Sequence, residues 1–198
     1  VGFFQNEKTP FHPQSPYGAA KLYAYWITKI YRESYNMFAC NGILFNHESP
    51  KRGPTFVTKK IIDGVNNYLI NGRRFELGNI YSYRDFGHAK DYIESMWKIL
   101  QLPKPDDFVI ATGNTITIKE FVNKCLKYKK INYKWIGKDL KTKCIDIDKN
   151  KTIISINKRL FRPLEVDYLK GDFTKAKKVL KWKPKFKVDD LIKDMFEN

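Results

Sequence analysis

Short apolar runs alternate with helical patterns along this chain, and that alternation limits its fold more than any other feature. Phe38–Phe45 and Phe108–Ala111 are apolar runs of strand length bounded by polar residues, which is typical of buried strands. Ser15 as N-cap and Pro16 at the first helical position predict a long helix over Pro16–Tyr35. Strands that alternate with helices favour an α/β fold with partly parallel pairing.

The same patterns predict further elements. Helices are expected over Phe56–Ile70, His88–Leu100, Ile118–Tyr128, Thr174–Leu180 and Val188–Phe196. Strands are expected over Arg73–Leu77, Tyr133–Ile136 and Cys144–Ile156, the last two as edge strands. Five aromatic residues fall among helical apolar positions and are expected in a core: Tyr23, Tyr25, Trp26, Trp97 and Trp182.

The net charge of +16 invites a nucleic-acid interpretation, which the kind of basic residue opposes. Only 7 of the 37 basic residues are Arg, the residue that makes bidentate contacts to bases and phosphates. A solvated, Lys-rich surface is therefore expected, with a basic field that attracts a phosphate-bearing substrate and no nucleic-acid partner. No apolar run approaches the roughly 18 residues of a membrane helix, so no membrane partner is expected either.

The three cysteines, Cys40, Cys125 and Cys144, form neither a C-x-x-C motif nor a metal-ligand spacing. They are predicted to be buried or half-buried thiols, because disulfides are rare in reducing compartments. A cytoplasmic location and no metal site are the corresponding expectations.

A Gly-rich dinucleotide-binding turn is absent from the sequence. Such a turn lets a pyrophosphate approach the backbone between a strand and a helix. No G-x-G-x-x-G or G-x-x-G-x-x-G can be drawn from the 11 glycines. Either this chain binds no dinucleotide, or the segment precedes Val1.

Tyr17 and Lys21 are four residues apart on the first predicted helix and so share a face. A nearby ammonium favours the phenolate, which can take a proton from a sugar hydroxyl while a hydride leaves the same carbon. The spacing alone is weak, because Tyr25 and Lys29 form a second such pair on the same helix. That second pair is interpreted as structural.

Longer strings single out the first pair. They are SPYGAAKLYAYWITKIYRESYNMFACNGILFNHESPKRG (Ser15–Gly53), RDFGHAKDYIESMW (Arg84–Trp97) and FRPLEVDYLKGDFTKAKKVLKWKP (Phe161–Pro184). In these strings the chain closely resembles the GDP-mannose 4,6-dehydratases, which are members of the extended short-chain dehydrogenase/reductase family. The resemblance extends over nearly the whole chain.

The resemblance implies a fold and a domain organisation. The fold class would be α/β, a remnant of an NAD(P)-binding Rossmann fold plus a smaller α/β lobe that binds the substrate. Residues 1–55 would be the C-terminal part of the Rossmann domain. Residues 56–198 would be mainly the lobe for the nucleotide sugar, with segments returning to the Rossmann sheet.

The resemblance also implies a reaction. The enzyme would be a lyase of the GDP-fucose pathway that converts GDP-mannose to GDP-4-keto-6-deoxy-mannose. The sugar would be oxidised at C4 by NADP, lose water across C5 and C6, and receive the hydride back at C6. Without the Gly-rich segment, this chain alone is expected to be inactive.

Roles at the site follow from the same resemblance. Tyr17 would be the acid/base at O4, and Lys21 would favour its phenolate and hold the nicotinamide ribose. His47 and Arg52 would contact NADP, and the 49–57 loop would join copies of the chain into a dimer or tetramer. No residue here matches the Thr and Glu that complete the family's site, and Glu7 is not assigned to that role.

The nucleotide sugar would be bound by six further residues: Asn46, Val57, Lys60, Arg84, Arg162 and Glu165. Arg84 would bind a phosphate, since its planar fork fits phosphate oxygens. The structural alternatives are a local Arg84–Asp85 salt bridge, a strand-end surface position for Arg162 and a capped loop histidine at His47. His88 and Asp91 are expected to cap and support their helix.

Three other functions remain open from the sequence. One is a nucleotide-sugar epimerase, or a dehydratase for another nucleotide. Another is a binding module without catalytic activity, and the last is a nucleic-acid binder. Product analysis, NADP+ binding and the salt dependence of nucleic-acid affinity would separate them.

Overall fold

Segments that are distant in sequence come together in the computed structural model, which describes residues 4–161 and 164–198. One unit consists of Val1–His47, Tyr83–Thr115 and Leu164–Lys187, and the other of Glu48–Ser82, Ile116–Pro163 and Val188–Asn198. Each unit therefore draws on three segments of the chain. The assignment of residues 1–55 and 56–198 to two functional domains stays a prediction.

Helices and strands lie close to their predicted positions. The helices are α1 (Pro16–Tyr35), α2 (Val57–Asn71), α3 (Ala89–Leu100), α4 (Ile118–Tyr128), α5 (Thr174–Val179) and α6 (Val188–Glu197). The strands are β1 (Gly42–Leu44), β2 (Asn46–Glu48), β3 (Phe75–Leu77), β4 (Tyr83–Arg84), β5 (Phe86–His88), β6 (Phe108–Ile110), β7 (Ile116–Thr117), β8 (Tyr133–Ile136), β9 (Lys143–Asp146) and β10 (Lys151–Ile156). The bounds of α1, α4 and β8 are those predicted, because caps and polar flanks mark both ends of these elements.

The first unit is built around the parallel pair β1 and β6, in which Gly42 lies opposite Phe108 and Leu44 opposite Ile110. A separate two-stranded sheet pairs β2 with β5. A buried cluster joins the strands to α3 and α5: Tyr92, Ile99, Phe108, Ile110, Ala176, Leu180 and Trp182. Parallel strands covered by helices confirm the predicted α/β class.

The second unit contains a four-stranded sheet in the order β3-β10-β9-β8. β10 runs parallel to β3 and antiparallel to β9, and β8 is antiparallel to β9. The prediction of edge strands over Cys144–Ile156 is wrong, since β9 and β10 are the inner strands. Their inner position in the sheet agrees with the full burial of Cys144, Ile153 and Ile154.

The expectation of core aromatics is correct for Trp182, which is 1% exposed, and wrong for most of the others. Tyr23, Trp26 and Trp97 are 69%, 48% and 62% exposed, and α1 has no buried residue. Helical spacing reveals that a face is apolar, but it does not reveal whether the chain supplies a neighbour to cover that face.

All three cysteines are free, with Cys125 and Cys144 buried and Cys40 half-buried, as predicted. Burial raises the pKa of the Cys144 thiol to about 12, so this thiol stays protonated at neutral pH. Among the described residues, no helix combines the length and apolar character needed to cross a membrane.

Gly171 packs against the Ala111 and Phe45 side chains, and a side chain of its own has no room there. A Cβ atom at this position would lie 2.1 Å from Ala111 Cβ and 3.1 Å from the Phe45 ring. We expect Gly171→Ala to lower the free energy of unfolding by roughly 2 kcal/mol or more, through overpacking. Urea denaturation measures the loss. Gly53→Ala is the matched control, because its Cβ would lie 3.5 Å from Phe56 at ordinary contact distance; equal midpoints for the two variants would contradict the prediction.

Candidate active site

The start of α1 presents Tyr17, in the first turn, and Lys21, in the second, on one face. Ser15 caps the helix, because its Oγ accepts a hydrogen bond from the Gly18 amide at 3.0 Å. The Tyr17 side chain is 72% exposed, and Lys21 Nζ lies 5.7 Å from the centroid of its ring. The predicted pairing is therefore present, and the phenol is accessible to a second molecule.

The second pair on the helix is arranged differently. Lys29 Nζ lies 5.2 Å from the Trp26 ring centroid and 3.9 Å from Glu33. The Tyr25 ring packs against Phe11 with 4.7 Å between centroids. Each partner of this pair is thus engaged elsewhere, which supports its structural interpretation.

His47 lies in strand β2 and not in the loop that the sequence suggested. Its Nδ1 is 2.9 Å from the Phe45 carbonyl oxygen, and its ring stacks on buried Tyr92 at 4.7 Å. If Nδ1 carries the proton, that contact is a hydrogen bond and Nε2 becomes the acceptor. Its neighbour Asn46 is half-buried in the same strand.

Arg52 is held by a residue that the sequence interpretation missed. Its Nε lies 3.0 Å from Oε2 of Glu48, and its Cζ lies 3.5 Å from the Phe56 ring centroid. Glu48 is 2% exposed and also accepts a 2.6 Å hydrogen bond from the Thr58 hydroxyl. Burial raises the pKa of Glu48, against the lowering effects of the Thr58 bond and the Arg52 charge. The guanidinium therefore contacts both Glu48 and Phe56, in the loop that begins at Ser49.

Val57 and Lys60 lie in the first turn of α2, immediately after that loop. Both are half-buried. They belong to the second unit, whereas Asn46 belongs to the first. Contact of these residues with one nucleotide stays a prediction.

Arg84 and Glu165 are brought together from distant parts of the chain. Arg84 Nη2 lies 2.5 Å from Glu165 Oε1, and Nη1 donates to the carbonyls of Val166 and Tyr83 at 2.6 and 2.8 Å. The guanidinium therefore forms a long-range ion pair with Glu165, and the local Arg84–Asp85 salt bridge stays an untested alternative. Arg162, the third residue predicted here, lies outside the described residues.

Asp85 forms a buried centre beside Arg84 that the sequence interpretation also missed. Its carboxylate is 0% exposed and accepts hydrogen bonds from the Thr112 amide and hydroxyl and from the amides of Gly113 and Gly171, at 2.7–3.3 Å. Burial raises the pKa of Asp85, whereas these hydrogen bonds oppose the rise. The available signal was a carboxylate next to Arg84 inside a family string, which does not reveal partners 27 to 86 residues away.

His88, Asp91 and Glu7 each make a hydrogen bond that stabilises the fold. His88 caps α3, accepting from the Lys90 amide, and Asp91 Oδ2 accepts from the amides of Lys185 and Phe186 at 2.9 and 3.0 Å. Glu7 Oε1 accepts from the Val109 amide at 2.8 Å, which gives it a structural contact.

Solved structures with the same fold define the class. RMD from Pseudomonas aeruginosa in complex with NADPH matches with a TM-score of 0.77 at 17% identity, over 98% of this chain and 59% of that one. A dTDP-glucose 4,6-dehydratase from Bacillus anthracis in complex with NAD matches with a TM-score of 0.78 at 20% identity, over 100% and 55%. The chain therefore has the α/β fold of these NADPH-bound and NAD-bound proteins.

Sequence comparison gives the family within that class. The family model for GDP-mannose 4,6 dehydratase matches residues 2–195, and the chain belongs to this family. It is 52% identical to the GDP-mannose 4,6 dehydratase of Dictyostelium discoideum and 50% identical to that of Homo sapiens, each over 96% of this chain. The chain spans about half the length of these curated relatives, 54% and 52% respectively.

Proposed function

We propose that this chain is part of a GDP-mannose 4,6-dehydratase, a hydro-lyase of the GDP-fucose pathway, and that it contributes the acid/base tyrosine and the nucleotide-sugar lobe. The observation that carries the proposal is the exposed Tyr17–Lys21 pair at the start of α1, in a chain that the family model matches over residues 2–195. The product would be GDP-4-keto-6-deoxy-mannose.

Tyr17 would take the proton from O4 of the mannose as C4 is oxidised and return one later, and Lys21 would stabilise the phenolate between these events. Arg84 and Glu165 would bind the phosphate and the ribose of GDP, together with Arg162, Asn46, Val57 and Lys60. An ordered pair such as Arg84–Glu165 supports this role, because a guanidinium already held in place loses little freedom when it binds phosphate.

A nicotinamide cofactor, NADP, would supply hydride transfer when bound. The donor set of this chain fits part of such a group: Tyr17 and Lys21 are exposed together on one helix face, and the Glu48–Arg52 pair holds a guanidinium suited to a phosphate. His47 would be a further contact. The 198 residues contain no Gly-rich turn, so turnover would require that segment as well.

Assembly into a dimer or tetramer would involve the 49–57 loop. Lys51 is exposed in this loop, and the Glu48 contact engages Arg52 through Nε, so the two Nη atoms would meet a partner. Light scattering of the parent and of Arg52→Ala tests the assembly: a parent that is monomeric at all concentrations would contradict it.

A cytoplasmic location is proposed from the three free thiols.

Two measurements test the function. Calorimetry of the chain with GDP-mannose should show binding, and UDP-glucose should bind at least about tenfold more weakly, because a site built for one base leaves unpaired groups with another. A fusion carrying the amino-terminal half of the Dictyostelium discoideum relative should form the 4-keto-6-deoxy product. Formation of an epimer instead would favour the epimerase alternative, and failure to bind GDP-mannose would overturn the proposal.

A further inference from the structure

Asp85 joins three segments of the first unit through one buried carboxylate. Thr112 and Gly113 follow strand β6, and Gly171 lies in residues 164–172, here termed the strap. A carboxylate that is 0% exposed is stable only where donors surround it, and four donors at 2.7–3.3 Å do so. The position of Asp85 thus fixes the strap against the end of β6.

The strap is also bound along its length by main-chain hydrogen bonds. On one side, the Tyr83 amide donates to Asp167 O at 2.8 Å, and the Leu169 amide donates to Tyr83 O at 3.2 Å. On the other side, Gln5 accepts from the Asp172 amide at 2.8 Å and donates to Lys170 O at 2.9 Å. The strap therefore runs between Gln5 and the Tyr83–Asp85 segment.

Three consecutive residues hold the strap in three different ways. Tyr83 uses its backbone, Arg84 uses its guanidinium on Glu165 and Val166, and Asp85 uses its carboxylate on Gly171. The Arg84 and Glu165 side chains are only 12% and 21% exposed and form an ion pair. Because Glu165 belongs to the strap, a shift of the strap would also displace the Arg84 guanidinium. The Asp85 carboxylate also binds Thr112 and Gly113, which directly follow core strand β6 and Ala111.

We propose that Asp85 is a positioning residue for the nucleotide diphosphate site: by fixing the strap to the end of β6, it sets the place of Glu165 and, through Glu165, of the Arg84 guanidinium. This inference rests on the proposed function of Arg84 and Glu165 in binding GDP. Asp85 itself touches no ligand in this assignment.

Asp85→Asn tests the assignment with little change of shape. The substitution replaces one acceptor oxygen by an NH2 group that faces amide donors, so at least one of the four bonds is lost. We expect GDP affinity, measured by calorimetry on the folded chain, to fall about tenfold, as Arg84→Ala should also lower it. The double variant should bind within about twofold of Arg84→Ala alone, because residues that act through one another are not additive.

Asp146→Asn is the matched control. Asp146 is another buried carboxylate, 4% exposed, which accepts from the Tyr68 hydroxyl and from the amides of Asp148 and Lys149 at 2.8–3.0 Å. It is the last residue of β9, where no site residue is predicted, so GDP affinity should stay within about twofold of the parent. A purely structural role for Asp85 would make the two variants behave alike and would overturn the assignment.

The remaining outcomes are decisive as well. If Asp85→Asn does not fold, Thr112→Val removes one donor to Asp85 and should weaken GDP binding about threefold, whereas Tyr68→Phe, its counterpart at Asp146, should not. If Arg84→Ala weakens GDP binding and the Asp85 and Thr112 variants do not, the positioning role fails and the proposed function stands. If the parent binds no GDP, both fail.

Discussion

Tyr17→Phe should reduce turnover of GDP-mannose by about 10²-fold or more while GDP-mannose affinity stays unchanged, because the loss concerns proton transfer and not binding. The measurement is product formation by the fusion with the amino-terminal half of the Dictyostelium discoideum relative, together with calorimetry. We expect this loss because the exposed Tyr17 phenol lies one turn before Lys21 on the same helix face.

The second Tyr-x-x-x-Lys pair provides the control for that prediction. Tyr25→Phe removes a phenol from the same helix, but Lys29 is directed to Trp26 and Glu33, so kcat should change less than about threefold. Equal losses of kcat in the two variants would show that the helix face, and not Tyr17, is what matters. Full activity of Tyr17→Phe would remove the acid/base assignment.

Asp107→Asn should destabilise the first unit by roughly 2–4 kcal/mol, because it leaves the Arg32 guanidinium partly buried without its charge partner. The two terminal guanidinium nitrogens, Nη1 and Nη2, donate to the carboxylate at 2.7 and 2.9 Å, and the Asn41 amide donates to it as well. The Arg32 and Asp107 side chains are 14% and 10% exposed. Urea denaturation measures the loss. The exposed Lys29–Glu33 pair is the control on the same helix, and Glu33→Ala should cost at most about 0.5 kcal/mol.

The same pair predicts an acid dependence. Burial alone raises the pKa of Asp107, but the bonds from Arg32 and from the Asn41 amide outweigh it and hold the pKa below its ordinary value. The stabilisation by the pair is therefore fully present above the unfolded pKa of about 3.9, and it is lost as the pH falls through the lower folded pKa. Parent and Asp107→Asn should converge in stability in acid, and a constant difference from pH 7 to pH 2 would contradict this assignment.

Local patterns predicted much of the fold. Ser15 and Pro16 mark the start of α1, and Asn36, with φ of 51°, ends it where predicted. The capping box of Thr117 and Glu120 likewise fixes the start of α4. These signals lie within a few residues of the element that they bound, so a sequence displays them directly. Strand order is different, because no local signal at β9 or β10 distinguishes an inner strand from an edge strand.

The candidate site divides in the same way. The residue types and their spacing determined the Tyr17–Lys21 pair, since a helix places residues four apart on one face whatever else it packs against. Tertiary structure alone decided that Arg84 meets Glu165, that Asp85 meets Gly171, and that α1 has no buried residue in this chain. Those outcomes depend on which distant segments pack against each other. A buried charge needs hydrogen-bond partners, and these can come from any segment that the fold places beside it. The sequence by itself therefore determined that Tyr17 and Lys21 share a face of α1, and the tertiary structure decided which distant residues contact Arg84 and Asp85.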